Sequence, residues 1–302
     1  MKRAAIFFVV LGVALAALYF SERRREKSAV SPNAVLEVVA DVQRDVTRAP
    51  MRFTRLSDDE EIKIGNELAE RYSAYDEKFT PEERGLEEYV VKVGTTVSAH
   101  AHRQLPYKFH LIPNRAQINA FSLPGGHVFV GEGLLDLMNS EDQLAFILGH
   151  ELEHIDHYHC AERVQIEARF RKLKLGIVGE LVQIPLEVWE AGYSKDEELE
   201  ADREGLRLSV ISGYSPEGAV TLFMRFHEIQ MERSTPANSP EQELSELAIQ
   251  SLEGYFRSHP ATSERIGQVE QVIADEHWQD RRTQKPFHLE YDVHNGELVK
   301  QK

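Results

Sequence analysis

Apolar positions recur every three to four residues over several long stretches of this chain, and at every second residue over a few short ones. Ile62, Ile64, Leu68 and Tyr72 follow the cap-like run Ser57-Asp58-Asp59-Glu60 and predict a helix. Leu86, Tyr89, Val90, Val93 and Val97 predict a second helix over residues 81–100, with Pro81 in its first turn. Phe109 and Leu111 alternate with Lys108 and His110, which predicts a strand over 107–113. Residues 118–130 read as two short strands joined by a Pro124-Gly125-Gly126 turn, and 133–138 begin a helical element. Ser140, with Gln143 three residues on, is a capping-box arrangement; Leu144, Ile147, Leu148 and Ile155 then mark one apolar helix face. Further helices are expected over 196–212, 216–233 and 261–277, and a small terminal hairpin over 287–299 around Asn295-Gly296. The apolar segment 171–190 fits either a helix or a lid-like insertion, and the polar, proline-containing stretch 234–245 predicts a mobile loop.

The N-terminal pattern differs in kind. Lys2 and Arg3 precede an uncharged run from Ala4 to Phe20, and dense charge returns from Glu22 to Lys27. As a helix this run reaches roughly 25 Å, at the short limit for a bilayer. It reads as a retained signal anchor or as a cleaved signal peptide with Ala14-Leu15-Ala16 at the cleavage site; given its marginal length, export with retention at the membrane is favoured. Basic residues on both sides leave orientation open. The expected division is therefore a membrane anchor or signal segment over 1–27, a linker over 28–55 and one globular domain over 56–302.

Composition excludes more than it selects. A hydrophobic fraction of 42% suits a globular domain, and a net charge of -15 leaves no basic stripe for nucleic acid. No nucleotide-binding glycine loop and no internal repeat is present. The one cysteine, Cys160, forbids an internal disulfide framework; lying beside His157 and His159 it invites reading as a metal ligand, but without a partner cysteine it fits a partly buried structural thiol better.

The chemistry concentrates in His150-Glu151-Leu152-Glu153-His154, an HExxH pattern inside the expected 140s helix. Residues four apart share a helix face, so His150 and His154 can present two imidazoles to one metal ion, and Glu151 lies close enough to deprotonate a metal-activated water as general base. Two histidines do not complete a catalytic zinc site; a third protein ligand is needed. Glu198-Leu199-Glu200-Ala201-Asp202 supplies candidates: Glu198 as the third ligand, and Asp202, on the same face, as acceptor for the outer nitrogen of a ligand histidine. Glu200 faces another way and is the weaker candidate.

Four segments carry a family resemblance: HELEH at 150–154; ELEAD at 198–202 with Arg203 and Gly205 following; INAFSLPGGHVFVGEGLL at 118–135; and SHPATSERI at 258–266. In these the chain resembles the HExxH zinc metallopeptidases that include HtpX-like, BepA-like, OMA-type and CaaX-prenyl-protease members, over about residues 57–275. The resemblance implies Glu198 as third ligand to one Zn2+ per chain, and Asp202 as the family's second motif carboxylate, sometimes assigned proton donation. It implies that Asn119, Ala120 and Phe121 lie on the cleft-edge strand where a substrate peptide adds. It further implies that His259 approaches the metal and occupies its open position at rest; from the residues alone, His259 before Pro260 reads equally as the start of a helix. The chain departs from multi-spanning members in having one apolar segment long enough to span, and from BepA-like proteins in lacking a C-terminal repeat region.

The expected fold is α+β: a mainly helical, zincin-like metallopeptidase domain with a small edge sheet, preceded by one hydrophobic helix. The expected function is a zinc-dependent endopeptidase of the cell envelope, anchored in the membrane or exported to the periplasm, acting on polypeptides; misfolded or envelope substrates rest on the resemblance. The rival readings are a non-proteolytic, zinc-stabilised chaperone-like or scaffold protein, and a zinc hydrolase of small molecules.

Overall fold

The computed structural model describes residues 56–72, 79–171, 192–232, 259, 263–285, 291–294 and 297–300, with isolated positions at 173, 174, 180, 184 and 188. The anchor or signal segment 1–27, the linker 28–55, the loop 234–245 and most of 171–190 lie outside the described residues. No described helix is long and apolar enough to cross a membrane.

The local signals place the first helices. In α1 (Asp58–Ala69) the Ser57 hydroxyl accepts from the Glu60 amide while the Glu60 carboxylate accepts from the Ser57 amide, a complete capping box. Thr80 and Glu83 repeat this at the start of α2 (Pro81–Ser98), with Pro81 in the first turn. Strand β1 (Lys108–Ile112) runs parallel to β3 (His127–Gly131), and β2 (Ala120–Leu123) pairs antiparallel with β3, so the sheet order is β1-β3-β2 with β2 at one edge. Gly125 and Gly126, at φ 78° and 112°, make the turn between β2 and β3.

The sheet is covered on both faces, which is why β2 and β3 are buried at every residue and do not alternate. Phe109, Leu111, Ala120, Val128 and Val130 join the larger core with α2 and the later helices. Ile112, Phe121, Leu123 and Phe129 turn to a second cluster with Ile64, Leu68 and Tyr72. The short α3 (Glu132–Leu135) leads into α4 (Glu141–Asp156), the HExxH helix, buried from Asp142 to Asp156. Sequence reading gave this helix a single apolar face; the surrounding elements instead enclose its polar residues too.

Two local details depart from the sequence pattern. Ser140 caps α4 by accepting from the Gln143 amide, but the Gln143 side chain accepts from Asn139, one residue before the cap, so the reciprocal half of the capping box is displaced. The helix then ends at His157 without glycine or proline: Tyr158 takes a left-handed φ of 64°, its ring under the Arg103 guanidinium at 3.8 Å, and α5 (His159–Arg171) starts afresh. The remaining helices are α6 (Lys195–Ile211), α7 (Glu217–Glu232) and α8 (Ser263–Asp275), followed by a 3-10 turn (Gln279–Arg281) and a hairpin of β4 (Tyr291–His294) and β5 (Glu297–Lys300). The fold is mainly helical α+β with a three-stranded sheet.

Helices α4 and α6 pack backbone to backbone at one point. A methyl group on Gly149 would meet the Gly205 carbonyl oxygen at 2.7 Å, and one on Gly205 would meet the His150 amide nitrogen at 2.6 Å. Neither obstacle is the movable tip of a side chain. Gly205→Ala is therefore expected to separate the helices and destabilise the protein by about 1–3 kcal/mol, the usual cost of overpacking, read as a lower urea midpoint with an unchanged slope.

Candidate metal centre

The close crossing sets the histidines of α4 against the carboxylates of α6. His150 and His154 stand one turn apart with their Nε2 atoms 3.1 Å from each other. Glu198 Oε2 is 3.5 Å from His150 Nε2, and Glu198 Oε1 is 3.5 Å from His154 Nε2. His259 Nδ1 lies 2.9 Å from Glu198 Oε2 and 3.3 Å from His150 Nε2. Ligand atoms about 2.1 Å from a tetrahedral ion sit about 3.4 Å apart, so these spacings fit a zinc-sized cation at their centre. All four residues are buried.

Charge makes the same demand. Glu151, Glu198 and Asp202 are buried carboxylates, and one guanidinium, Arg265, faces two of them. The excess of two negative charges is what a divalent cation balances. Neither oxygen of Glu151 has a hydrogen-bond partner among the described residues, nor does Glu198 Oε1. Burial opposes ionisation of Glu198, but His259, His150 and His154 outweigh it and hold the carboxyl well below its ordinary range. Burial likewise opposes protonation of His150, yet Asp202 and Glu198 overcome it and push the imidazole up to about 9; His154 is driven down by burial, against Glu198.

Outer contacts orient each imidazole. His150 Nδ1 lies 2.9 Å from Asp202 Oδ1, so of the two histidines on the HExxH face it is His150 that Asp202 meets. Arg265 grips both Asp202 oxygens at 2.6 Å and approaches Glu198 Oε2 at 3.3 Å, its guanidinium 4.7 Å from the Phe223 ring centre. Burial works against the Asp202 charge, and Arg265 more than restores it, so the carboxyl is held low. His154 Nδ1 lies 2.9 Å from His159 Nδ1, whose Nε2 faces Glu200 Oε2 at 3.4 Å. Glu200 thus turns away from the metal group, toward His159 and His157.

Sequence reasoning assigned no role to three contributors. Tyr193 stacks on the His154 ring at 3.8 Å, with its hydroxyl 3.2 Å from Cys160 Sγ. His159 was visible only as a neighbour of Cys160, and Arg265 lay inside the quoted SHPATSERI segment. For Arg265 a signal existed: a buried carboxylate pair on α6 requires a buried cation. Cys160 is fully buried against Ser122 and is not among the ligand atoms; burial pushes its thiol up to about 11. Ala120 and Phe121 lie on β2, at the sheet edge, with Asn119 just before it and its carbonyl accepting from the Gly131 amide. All three are buried.

A helix pair that sets two imidazoles against a carboxylate is the arrangement of a metallopeptidase, and comparison with known proteins agrees. The model of Peptidase family M48, a family of metal-dependent peptidases, matches residues 82–273, and the chain belongs to that family. It is 27% identical over 233 residues to the mitochondrial metalloendopeptidase OMA1 of Schizosaccharomyces pombe, covering 74% of this chain and 64% of that protein. It is 24% identical over 212 residues to the beta-barrel assembly-enhancing protease of Escherichia coli K12, covering 59% of this chain and 43% of that one. A mitochondrial metalloendopeptidase OMA1 of Bos taurus is 37% identical over 109 residues, covering 30% of this chain and 21% of that protein. The chain thus spans less than two thirds of the length of each.

Arg265→Met leaves Glu198 and Asp202 buried with no guanidinium between them. The expected loss is about 3–5 kcal/mol of stability, the cost of breaking a buried ion pair from one side, measured by chemical denaturation at neutral pH.

Proposed function

We propose that this protein is a zinc-dependent endopeptidase in which His150, His154 and Glu198 hold the metal and Glu151 is the general base. The observation that carries the reading is the convergence of two imidazoles and one carboxylate in a buried group short of two positive charges. Bound there, zinc supplies a Lewis acid for the scissile carbonyl and lowers the pKa of water toward about 7. Glu151 takes the proton from the attacking water and passes it to the leaving amine nitrogen. A buried carboxylate with neither oxygen hydrogen-bonded is costly to keep, and a purely structural zinc protein has no use for it; this favours the peptidase over the scaffold reading.

Asp202, with Arg265 on both oxygens and His150 at 2.9 Å, acts by fixing the His150 ring so that Nε2 faces the metal. His159 does the same for His154. His259 stands with Nε2 3.4 Å from Glu151 Oε1 and Nδ1 2.9 Å from Glu198 Oε2; with a metal bound it would serve as a resting ligand that substrate would displace. The edge strand from Asn119 through Phe121 receives the substrate backbone as an added strand. We further read the substrates as misfolded or envelope proteins and the location as a membrane or envelope, from the kinship with OMA1 and the beta-barrel assembly-enhancing protease and from the apolar run 4–20.

The decisive assay is cleavage of casein by the purified protein with and without chelator. Chelator-sensitive cleavage is expected in the wild type, and in His259→Ala at a rate no lower; if neither protein cleaves, the endopeptidase reading fails. Glu151→Gln should abolish turnover with zinc content unchanged. Glu198→Gln should lower zinc content, and an unchanged content there would remove Glu198 from the ligand set. Asp202→Asn should weaken zinc affinity by about 10–100-fold, followed by competition with a chromogenic chelator.

A further inference from the structure

We propose that His102, Glu153 and Asp156 form a second divalent-cation site, at the C-terminal end of α4 and separate from the His150–His154–Glu198 group. Glu153 and Asp156 lie three residues apart on α4 and share a face. His102 comes from the connection between α2 and β1, which the Asp156 carboxylate holds in place: Oδ2 accepts from the His102 amide at 2.7 Å, and Oδ1 from the Tyr107 hydroxyl. One ligand atom from each of the three residues falls within 4.8 Å of the others. His102 Nδ1 and Asp156 Oδ2 are 3.8 Å apart, too far for a hydrogen bond and close to the separation, about 3.4 Å, of two ligands on one tetrahedral ion.

The observation that points to a ligand is Glu153. Its side chain is 1% exposed, and neither carboxylate oxygen has a hydrogen-bond partner among the described residues. One of them, Oε2, faces His157 Nε2 at 3.2 Å, while the second nitrogen of His157 faces Glu200 at 3.6 Å. The positive charge His157 can carry is therefore shared between two carboxylates and does not cover Oε1. The Asp156 side chain, also 1% exposed, adds a second buried carboxylate beside it. Arg103 is near in sequence, but its guanidinium is committed to Asp58, Glu61 and the Ile155 carbonyl. A cation beside Glu153 and Asp156 supplies the charge that the protein does not.

The ligand set and its surroundings indicate the class of ion. One imidazole and two carboxylates suit a borderline transition cation such as Zn2+. The His102 side chain is 78% exposed, so the site opens to solvent there and leaves room for water ligands. Tyr107 on Asp156 is an outer hydrogen-bonding partner that orients the carboxylate, and His157 stands at ion-pair distance, 3.2 Å, from Glu153 Oε2. Bound there, the ion fastens the α2–β1 connection to the end of the HExxH helix.

The test equilibrates the purified full chain against stepwise excess free Zn2+ and counts bound metal by mass spectrometry in wild type, His102→Ala and Glu153→Gln. The wild type should bind one equivalent more than either variant. His102 is exposed, so His102→Ala keeps the fold even where Glu153→Gln does not. Glu198→Gln should retain this equivalent, which separates it from the metal centre of the proposed peptidase. A count unchanged from wild type in His102→Ala, or in a folded Glu153→Gln, overturns the site.

Discussion

The contact of Gly149 with Gly205 is the constraint on which the rest of the site depends. Side chains normally hold packed helices 8–10 Å apart at the axes; here two residues without Cβ let the backbones touch. At that separation Glu198 Oε1 and Oε2 come within 3.5 Å of the imidazoles on the facing helix, and Asp202 reaches His150 from behind. The spacing along α6 then has a plain meaning. Glu198, Asp202 and Gly205 fall on one face of the helix, so the residue that permits contact and the two that exploit it are oriented together.

Burial turns this geometry into chemistry. A carboxylate removed from water is unfavourable unless its charge is answered, and the group around His150 answers only part of it with Arg265. The unmet remainder draws protons to His150 and favours a dication over any monovalent substitute. The same reasoning separates the two ends of α4. At the metal group, acidic residues from a second helix are countered by an arginine on a third; at the C-terminal end, among the described residues, Glu153 faces His157, which it shares with Glu200, and Asp156 accepts from the His102 amide and the Tyr107 hydroxyl.

Much of this was legible in the residues. HELEH and ELEAD named the elements and their faces, because helical periodicity decides which side chains share a side; which histidine Asp202 would meet was open until the helices were placed. The helix boundaries fell within a few residues of the pattern, since Ser57 and Pro81 signal helix starts through backbone amides left unsatisfied there. Three features could not be read that way. Full burial of β2 and of the polar residues of α4 depends on how many layers cover them, a tertiary fact with no local signature. The displaced cap at Asn139 turns on which of two adjacent amides Gln143 reaches. The end of α4 at Tyr158 escaped because no glycine or proline marks it; Arg103, distant in sequence, covers the tyrosine ring.

That unmarked reversal gives the motif a longer grammar. His159 follows His154 by five positions, which on an uninterrupted helix would carry it past the facing turn. Because the chain folds back at 158, a histidine at that offset returns to the imidazole it would otherwise have left behind. In this chain HExxH is better written HExxHxxxxH, where the last letter denotes a supporting ring and the fourth of the intervening positions, Tyr158, must accept a left-handed backbone.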